Sequence, residues 1–167
     1  ASVYFDDLLN VMRERNVIKT DANQVSLIGR ERRLEGQVAD QAQQVEALFQ
    51  SGGLAPAAPA EIEAQLKIAP KKLREVMKYL LDTEKIVEAS PEIYFHSSSY
   101  EKAKAEILLL FAERPELTTS EIRQHLGMNR KYVVPLVELL DRRKITVREG
   151  DKRKLIRHVL GGVSAFV

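Results

Sequence analysis

The chain has 167 residues, 44% hydrophobic and 30% charged, enough for one large or two small globular domains, and it contains no cysteine, which excludes disulfides, thiolate metal sites and a cysteine nucleophile. No apolar run approaches the ~20 residues that span a bilayer and no stretch resembles a signal peptide, so a cytoplasmic protein without membrane attachment is expected. The net charge of +2 conceals a change of sign: residues 1–34 carry 6 basic and 5 acidic groups, residues 35–99 carry 6 and 10, and residues 100–167 carry 14 and 9.

The chain opens Ala1-Ser2-Val3 directly into a helical pattern at Tyr4, Leu8, Val11 and Met12, and is read as part of a longer protein. β-Branched Val17-Ile18 follows, and Thr20-Asp21-Ala22-Asn23 turns the chain into a return strand, Gln24 to Ile28. Helices are predicted at Gln37–Phe49 and Pro59–Leu66, with Pro59 in the first turn, where a missing N–H costs little. The Gly/Pro/Ala-rich stretch Ser51–Pro59 between them is read as an interhelical loop rather than a domain linker. A third helix from Ala69 leads into Ile86-Val87 and, after Ala89-Ser90-Pro91, into Glu92–Phe95. The order then recurs. Tyr100–Glu113 and Ser120–Leu126 are helical, the latter with Thr118 and Glu121 in a capping box and Gly127 as C-cap. Asn129 caps a third helix, and Ile145-Thr146-Val147 and Lys154–His158 form a hairpin about Glu149-Gly150-Asp151. The tail 161–167 is expected to fray.

Set against itself, the segment from Ala69 to Ile86 matches Met128 to Ile145 at an offset of 59, with Leu73, Met77, Leu80 and Leu81 on Tyr132, Leu136, Leu139 and Leu140. On this register Tyr132 is expected in the core, the alternative being an aromatic that stacks on a splayed base. Tyr4, Leu8, Val11 and Met12 repeat the pattern at an offset of 69 from the middle copy. Three helices and a hairpin in that order make a winged helix. The expected fold is mainly α with small β-hairpins (α+β): a truncated winged helix at residues 1–34, complete copies at 35–98 and 99–160, and a tail. Each copy is near the ~60-residue lower limit for an independent core, so stabilising contacts between copies are expected.

Basic residues concentrate from Asn129 onward, which points to a polyanion. Arg130 and Lys131 stand at a helix start, where cations oppose the helix dipole and call for another justification, while free N–H groups there attract phosphate. Arg148, Lys152 and Arg153 stand on or beside the wing, and these five are the expected nucleic-acid contacts, with Asn129, Lys154 and Arg143 as further candidates. Not all the wing cations can share one face, because strand residues alternate. Arg142, Arg143 and Lys144 also read as ordinary cations complementing a helix C-terminus. Pro135, inside the third helix, removes a donor to the Lys131 carbonyl; a packing kink and a functional kink remain equally open. In the middle copy Lys71 and Lys72 match Arg130 and Lys131 on this register, but the hairpin from Glu88 to Glu92 is acidic, so this copy is expected to bind a polyanion poorly and to serve as a spacer or docking module.

Arg130-Lys131-Tyr132, Pro135-Leu136, Glu138, Leu140-Asp141, Thr146, Arg148, Gly150-Asp151, Arg153 and Leu155 together resemble the last winged helix of bacterial selenocysteine-specific elongation factors. The resemblance is dense over roughly 30 residues and elsewhere rests on the serial arrangement. It implies a module that binds a messenger RNA hairpin and tethers a translation factor for recoding of UGA, with GTP, selenocysteyl-tRNA and ribosome contacts in domains outside this chain. No cofactor, metal or catalytic residue is expected here: phosphate-loop, His-Glu-x-x-His and Gly-x-Ser-x-Gly patterns are absent, and His96, His125 and His158 lack ligand spacing. A monomer is expected. A duplex-DNA regulator using the third helix in the major groove, and a protein-interaction scaffold, are the alternatives.

Overall fold

The computed structural model describes residues 18–21 and 24–156. The helical pattern from Tyr4 to Met12, His158 and the tail lie outside the described residues. The chain runs through a hairpin of β1 (Ile18–Asp21) and β2 (Gln24–Leu27) into helix α1 (Ile28–Gly52). Two helices follow, α2 (Pro59–Leu66) and α3 (Pro70–Asp82), and then a hairpin of β3 (Ile86–Ser90) and β4 (Ile93–His96). The final unit comprises α4 (Ser97–Glu113), a short β5 (Leu117–Thr118), α5 (Thr119–Leu126), α6 (Arg130–Arg142), β6 (Thr146–Glu149) and β7 (Lys152–Leu155).

Two corrections concern boundaries. α1 starts at Ile28 rather than Gln37, so the anticipated division at residue 34 falls inside a continuous helix. The strand β5, which two residues cannot announce by periodicity, pairs with β7 to give a three-stranded sheet in the order β5-β7-β6. The loop after α1, the first-turn Pro59, the Asn129 cap and the left-handed Gly127 are as expected. The Asn129 side chain accepts from the Lys131 N–H at 3.1 Å.

A third correction concerns the repeat. Pro59–Leu66 corresponds to Thr119–Leu126 and Pro70–Asp82 to Arg130–Arg142, an offset of 60, not 59. Buried Leu73, Val76, Met77 and Leu80 fall on buried Val133, Leu136, Val137 and Leu140. Tyr132 therefore matches Lys72, not Leu73. It is half-buried, with the Lys131 ammonium 5.3 Å from its ring centre. An adjacent pair of leucines in each helix disguised the slip, because Leu80-Leu81 aligns with Leu139-Leu140 almost equally well.

The helices form because their apolar residues recur every three or four positions: Val38, Ala42, Val45 and Phe49 on α1, and Tyr100, Ala103, Ile107 and Phe111 on α4, make continuous buried faces. The β3–β4 hairpin behaves differently, because both of its faces are covered. Ile86 and the half-buried Tyr94 point into the core of their own unit with Phe49 and Leu80. Val87, Ala89, Ile93 and Phe95, on the opposite face, join the core of the following unit with Tyr100, Phe111, Leu136 and Leu139. Fully burying Phe95 alone contributes about 1.5–3 kcal/mol, so the middle wing is a structural joint between units. Arg142 reinforces it, donating from Nη2 to the carbonyl oxygen of Ala89 at 2.8 Å, and the Arg143 guanidinium lies 4.8 Å from the Tyr100 ring centre. Both arginines act across the joint as well as sitting at a helix end.

α6 runs unbroken through Pro135. Pro135 withholds the usual donor from the carbonyl of Lys131, an exposed residue. Among the described residues no helix is long and apolar enough to cross a membrane.

A candidate nucleic-acid interface on the last unit

The capping box fixes where α5 begins. Thr118 Oγ1 accepts from the Glu121 N–H at 3.2 Å, and the Glu121 carboxylate accepts from the Thr118 N–H at 2.8 Å. The Thr118 N–H foremost, then the Thr118 hydroxyl, which donates to the same carboxylate at 3.0 Å, with Arg114 adding less, hold the Glu121 carboxyl below its ordinary value of 4.5. A depressed carboxyl stabilises the fold above its ordinary pKa and loses that contribution as pH falls through the folded value. Acidification below 4.5 should therefore loosen this helix start. Urea titrations of Glu121→Ala should show a smaller loss of stability on acidification than the parent; an unchanged acid limb would contradict this.

Beyond the cap, α5, the first half of α6 and the wing enclose a cleft of about 510 Å³ lined by Thr119, Ser120, Arg123, Arg130, Val134, Glu138, Arg148 and Arg153. Arg123, Arg130 and Arg148 are exposed and, among the described residues, none is held in an ion pair. Arg148 Nε donates to the Gly150 carbonyl at 2.9 Å, and Gly150 turns the wing with φ +65°. That turn carries the wing cation back over the cleft. Three guanidiniums around a groove offer planar, multidentate donors suited to phosphate oxygens.

The other predicted contacts are placed differently. Arg153 is only 3% exposed and cannot be a free surface cation. Its Nε donates to Asp141 Oδ2 at 3.0 Å and Oδ1 at 3.3 Å, its Nη1 donates to Thr119 Oγ1 at 2.7 Å, and the Thr146 hydroxyl donates to the same Asp141 at 2.6 Å. Arg153 thus forms the cleft floor. Lys152 is tied to Glu116 at 3.0 Å, and Lys154 to Glu149 at 2.6 Å and Glu116 at 3.2 Å. Hydrogen bonds from Lys152, then Lys154, hold the Glu116 carboxyl below its ordinary value; Glu116 raises Lys152, and Glu149 followed by Glu116 raises Lys154. Lys131 is exposed beside Tyr132, and Asn129 is engaged as a cap. Arg143 sits at the joint, outside the cleft. His125, which lacks ligand spacing in the sequence, has its Nε2 3.4 Å from Glu106 on α4.

Arg123 was missed. With the 60-residue register it stands opposite Glu63, as Arg148 stands opposite Glu88, and a reversal of charge between copies marks both positions. The 59-residue register hid that signal.

Residues 110–155, which contain this cleft, match the family described as elongation factor SelB, winged helix. The last unit is thus similar to the winged helix of that family. The chain is 24% identical over 111 residues to a selenocysteine-specific elongation factor of Desulfomicrobium baculatum, covering 66% of this chain but 18% of that protein. Two solved structures share the fold. The mRNA-binding domain of SelB from E. coli, in complex with SECIS RNA, superposes with a TM-score of 0.62 at 17% identity, covering 73% of this chain and 96% of that one. A bacterial selenocysteine-specific elongation factor superposes with a TM-score of 0.60 at 22% identity, covering 93% of this chain and 24% of that one. The last unit and the one before it are both winged helices, joined through the middle wing.

Proposed function

We propose that this chain is the RNA-hairpin-binding region of a selenocysteine-specific translation elongation factor and tethers that factor to its message for UGA recoding. The observation that carries the reading is the cleft of the SelB winged helix, where Arg123, Arg130 and Arg148 converge without carboxylate partners among the described residues. The E. coli SelB domain of the same fold, solved with SECIS RNA, supports RNA as the polyanion. Since the chain spans about a fifth of its curated relative, GTP hydrolysis and binding of selenocysteyl-tRNA and the ribosome are proposed for the longer protein. Within this region the role is binding. The deep major groove of A-form RNA excludes side chains, so specificity comes from loop or bulged bases and affinity from phosphates.

Titration of a fluorescent SECIS-type hairpin at several salt concentrations tests this. With about four to six phosphates neutralised, the log–log slope should be roughly −3 to −5. A slope near zero, or preference for duplex DNA in competition at fixed salt, would remove the reading.

A further inference from the structure

α4 buries one side and leaves the other bare. Tyr100, Ala103, Ile107 and Phe111 enter the core of the last unit, while Lys102, Ala105, Leu109, Ala112 and Glu113 are exposed on the opposite side. Leu109, at 68% exposure, is the most open large apolar side chain among the described residues. Steps of three and four residues from Lys102 through Ala105 and Leu109 to Ala112 keep this strip on one face. Lys102 and Glu113 bound it at its two ends, about three full turns apart, so the two opposite charges point the same way. Among the described residues neither is in an ion pair, whereas the other charges of α4 are engaged: Glu101 with Lys104 at 2.6 Å and Glu106 with His125 at 3.4 Å. The arginine cleft has no lining residue on α4, and the joint takes Tyr100 and Phe111 from the buried side, so this face serves neither.

We infer that the Lys102–Glu113 face of α4 is a self-association surface, which takes the same face of a second copy of this chain, antiparallel, about a two-fold axis. An apolar strip with a cation at one end and an anion at the other is complementary to itself only when the second helix is reversed. In that arrangement Lys102 meets Glu113 of the second copy, and Leu109 meets Ala105 of the second copy. The midpoints of these two pairs along the helix differ by half a residue, about 0.75 Å, so one axis satisfies both. The alanines let the helices approach, and each leucine fills the space the opposite alanine leaves. A lipid surface would call for cations along the rim of the strip, and α4 offers Lys102 alone among the described residues. One helical strip is a small interface, so the pairing is weak and transient. The expected monomer holds at about micromolar concentration, and pairing sets in toward about 1 mM. The exposed ion pairs fix orientation more than they add affinity. None of this depends on the RNA reading of the cleft.

The test is sedimentation equilibrium of the whole chain from about 20 μM to about 1 mM. The weight-average mass should rise above the 18.9 kDa of one chain by at least about a third at the highest concentration. L109E should stay at the monomer mass and keep its melting temperature within about 2 °C, because the side chain it replaces lies in solvent. K102E alone and E113K alone should each remain monomeric, since either reversal sets like charges opposite one another twice. Mixed in equal amounts, these two variants should associate with each other at least as strongly as the parent does with itself, and K102E/E113K should recover the parent behaviour. The mixture keeps the test decisive even if L109E unfolds. A parent that holds 18.9 kDa at about 1 mM, association that survives L109E, or a mixture no heavier than its separate components would overturn the inference. So would a parent that binds phosphatidylglycerol vesicles through Leu109 without pairing in solution.

Discussion

Arg153→Ala should lower stability by about 3 kcal/mol and the melting temperature by roughly 6–12 °C, although an arginine on a wing looks like a surface contact. Truncation leaves Asp141 with the Thr146 hydroxyl but no cation, and leaves Thr119 without its donor. Removing one partner of a buried pair typically costs about 3–5 kcal/mol, and the lower figure applies because the Asp141 side chain is still 23% exposed. Register adds a second reason. Arg153 lies directly opposite Arg148 on the neighbouring strand and opposite Leu117 on the other, so the central strand of the sheet depends on it. Two arginines opposite one another repel unless one is neutralised, and Asp141 does that. A double-mutant cycle with Asp141→Ala, followed by calorimetry, checks the assignment: once Arg153 is gone, the second substitution should add little. A shift in melting temperature under about 2 °C for Arg153→Ala would contradict it.

That residue also shows how far the sequence could be read. The order of helices and hairpins followed from apolar spacing, caps and turn residues, all local signals that neighbours in sequence enforce. What escaped was non-local. Whether Arg153 points to solvent or to Asp141 depends on a carboxylate twelve residues away on α6 and on a two-residue strand with no periodicity of its own. Lys152 and Lys154 look free until folding brings Glu116 to them. The two-sided burial of the middle hairpin also escaped: Ile86 and Val87 read only as β-branched strand residues, and the next unit's core explains why both faces are apolar. A one-residue slip in the repeat put Tyr132 at a fully buried position, whereas it packs half-buried against the core, and it concealed Arg123. Of the expected contacts, Arg130 and Arg148 line the groove together with Arg123, one from each of α6, the wing and α5, and Arg153 lies beneath them.

Replacing Arg123, Arg130 and Arg148 together by alanine should weaken RNA-hairpin binding on the order of a hundredfold or more, with melting temperature unchanged. Each exposed guanidinium that meets phosphate makes charge-assisted hydrogen bonds, and bonds to charged groups contribute about 1.5–3 kcal/mol each in favourable settings. Exposure moderates that figure, so roughly 1 kcal/mol per arginine is the cautious reading, and three give about a hundredfold. The salt slope should flatten by about three, since each lost phosphate contact removes nearly one. Replacing Lys152 and Lys154 together should cost less than about threefold, because Glu116 and Glu149 already hold their ammonium groups in the free protein. Lysine at the three cleft positions should restore the slope but not the whole affinity, because an ammonium keeps the charge and loses the planar fork. Equal losses from the cleft arginines and the wing lysines would return the binding surface to the tip of the wing and away from the groove.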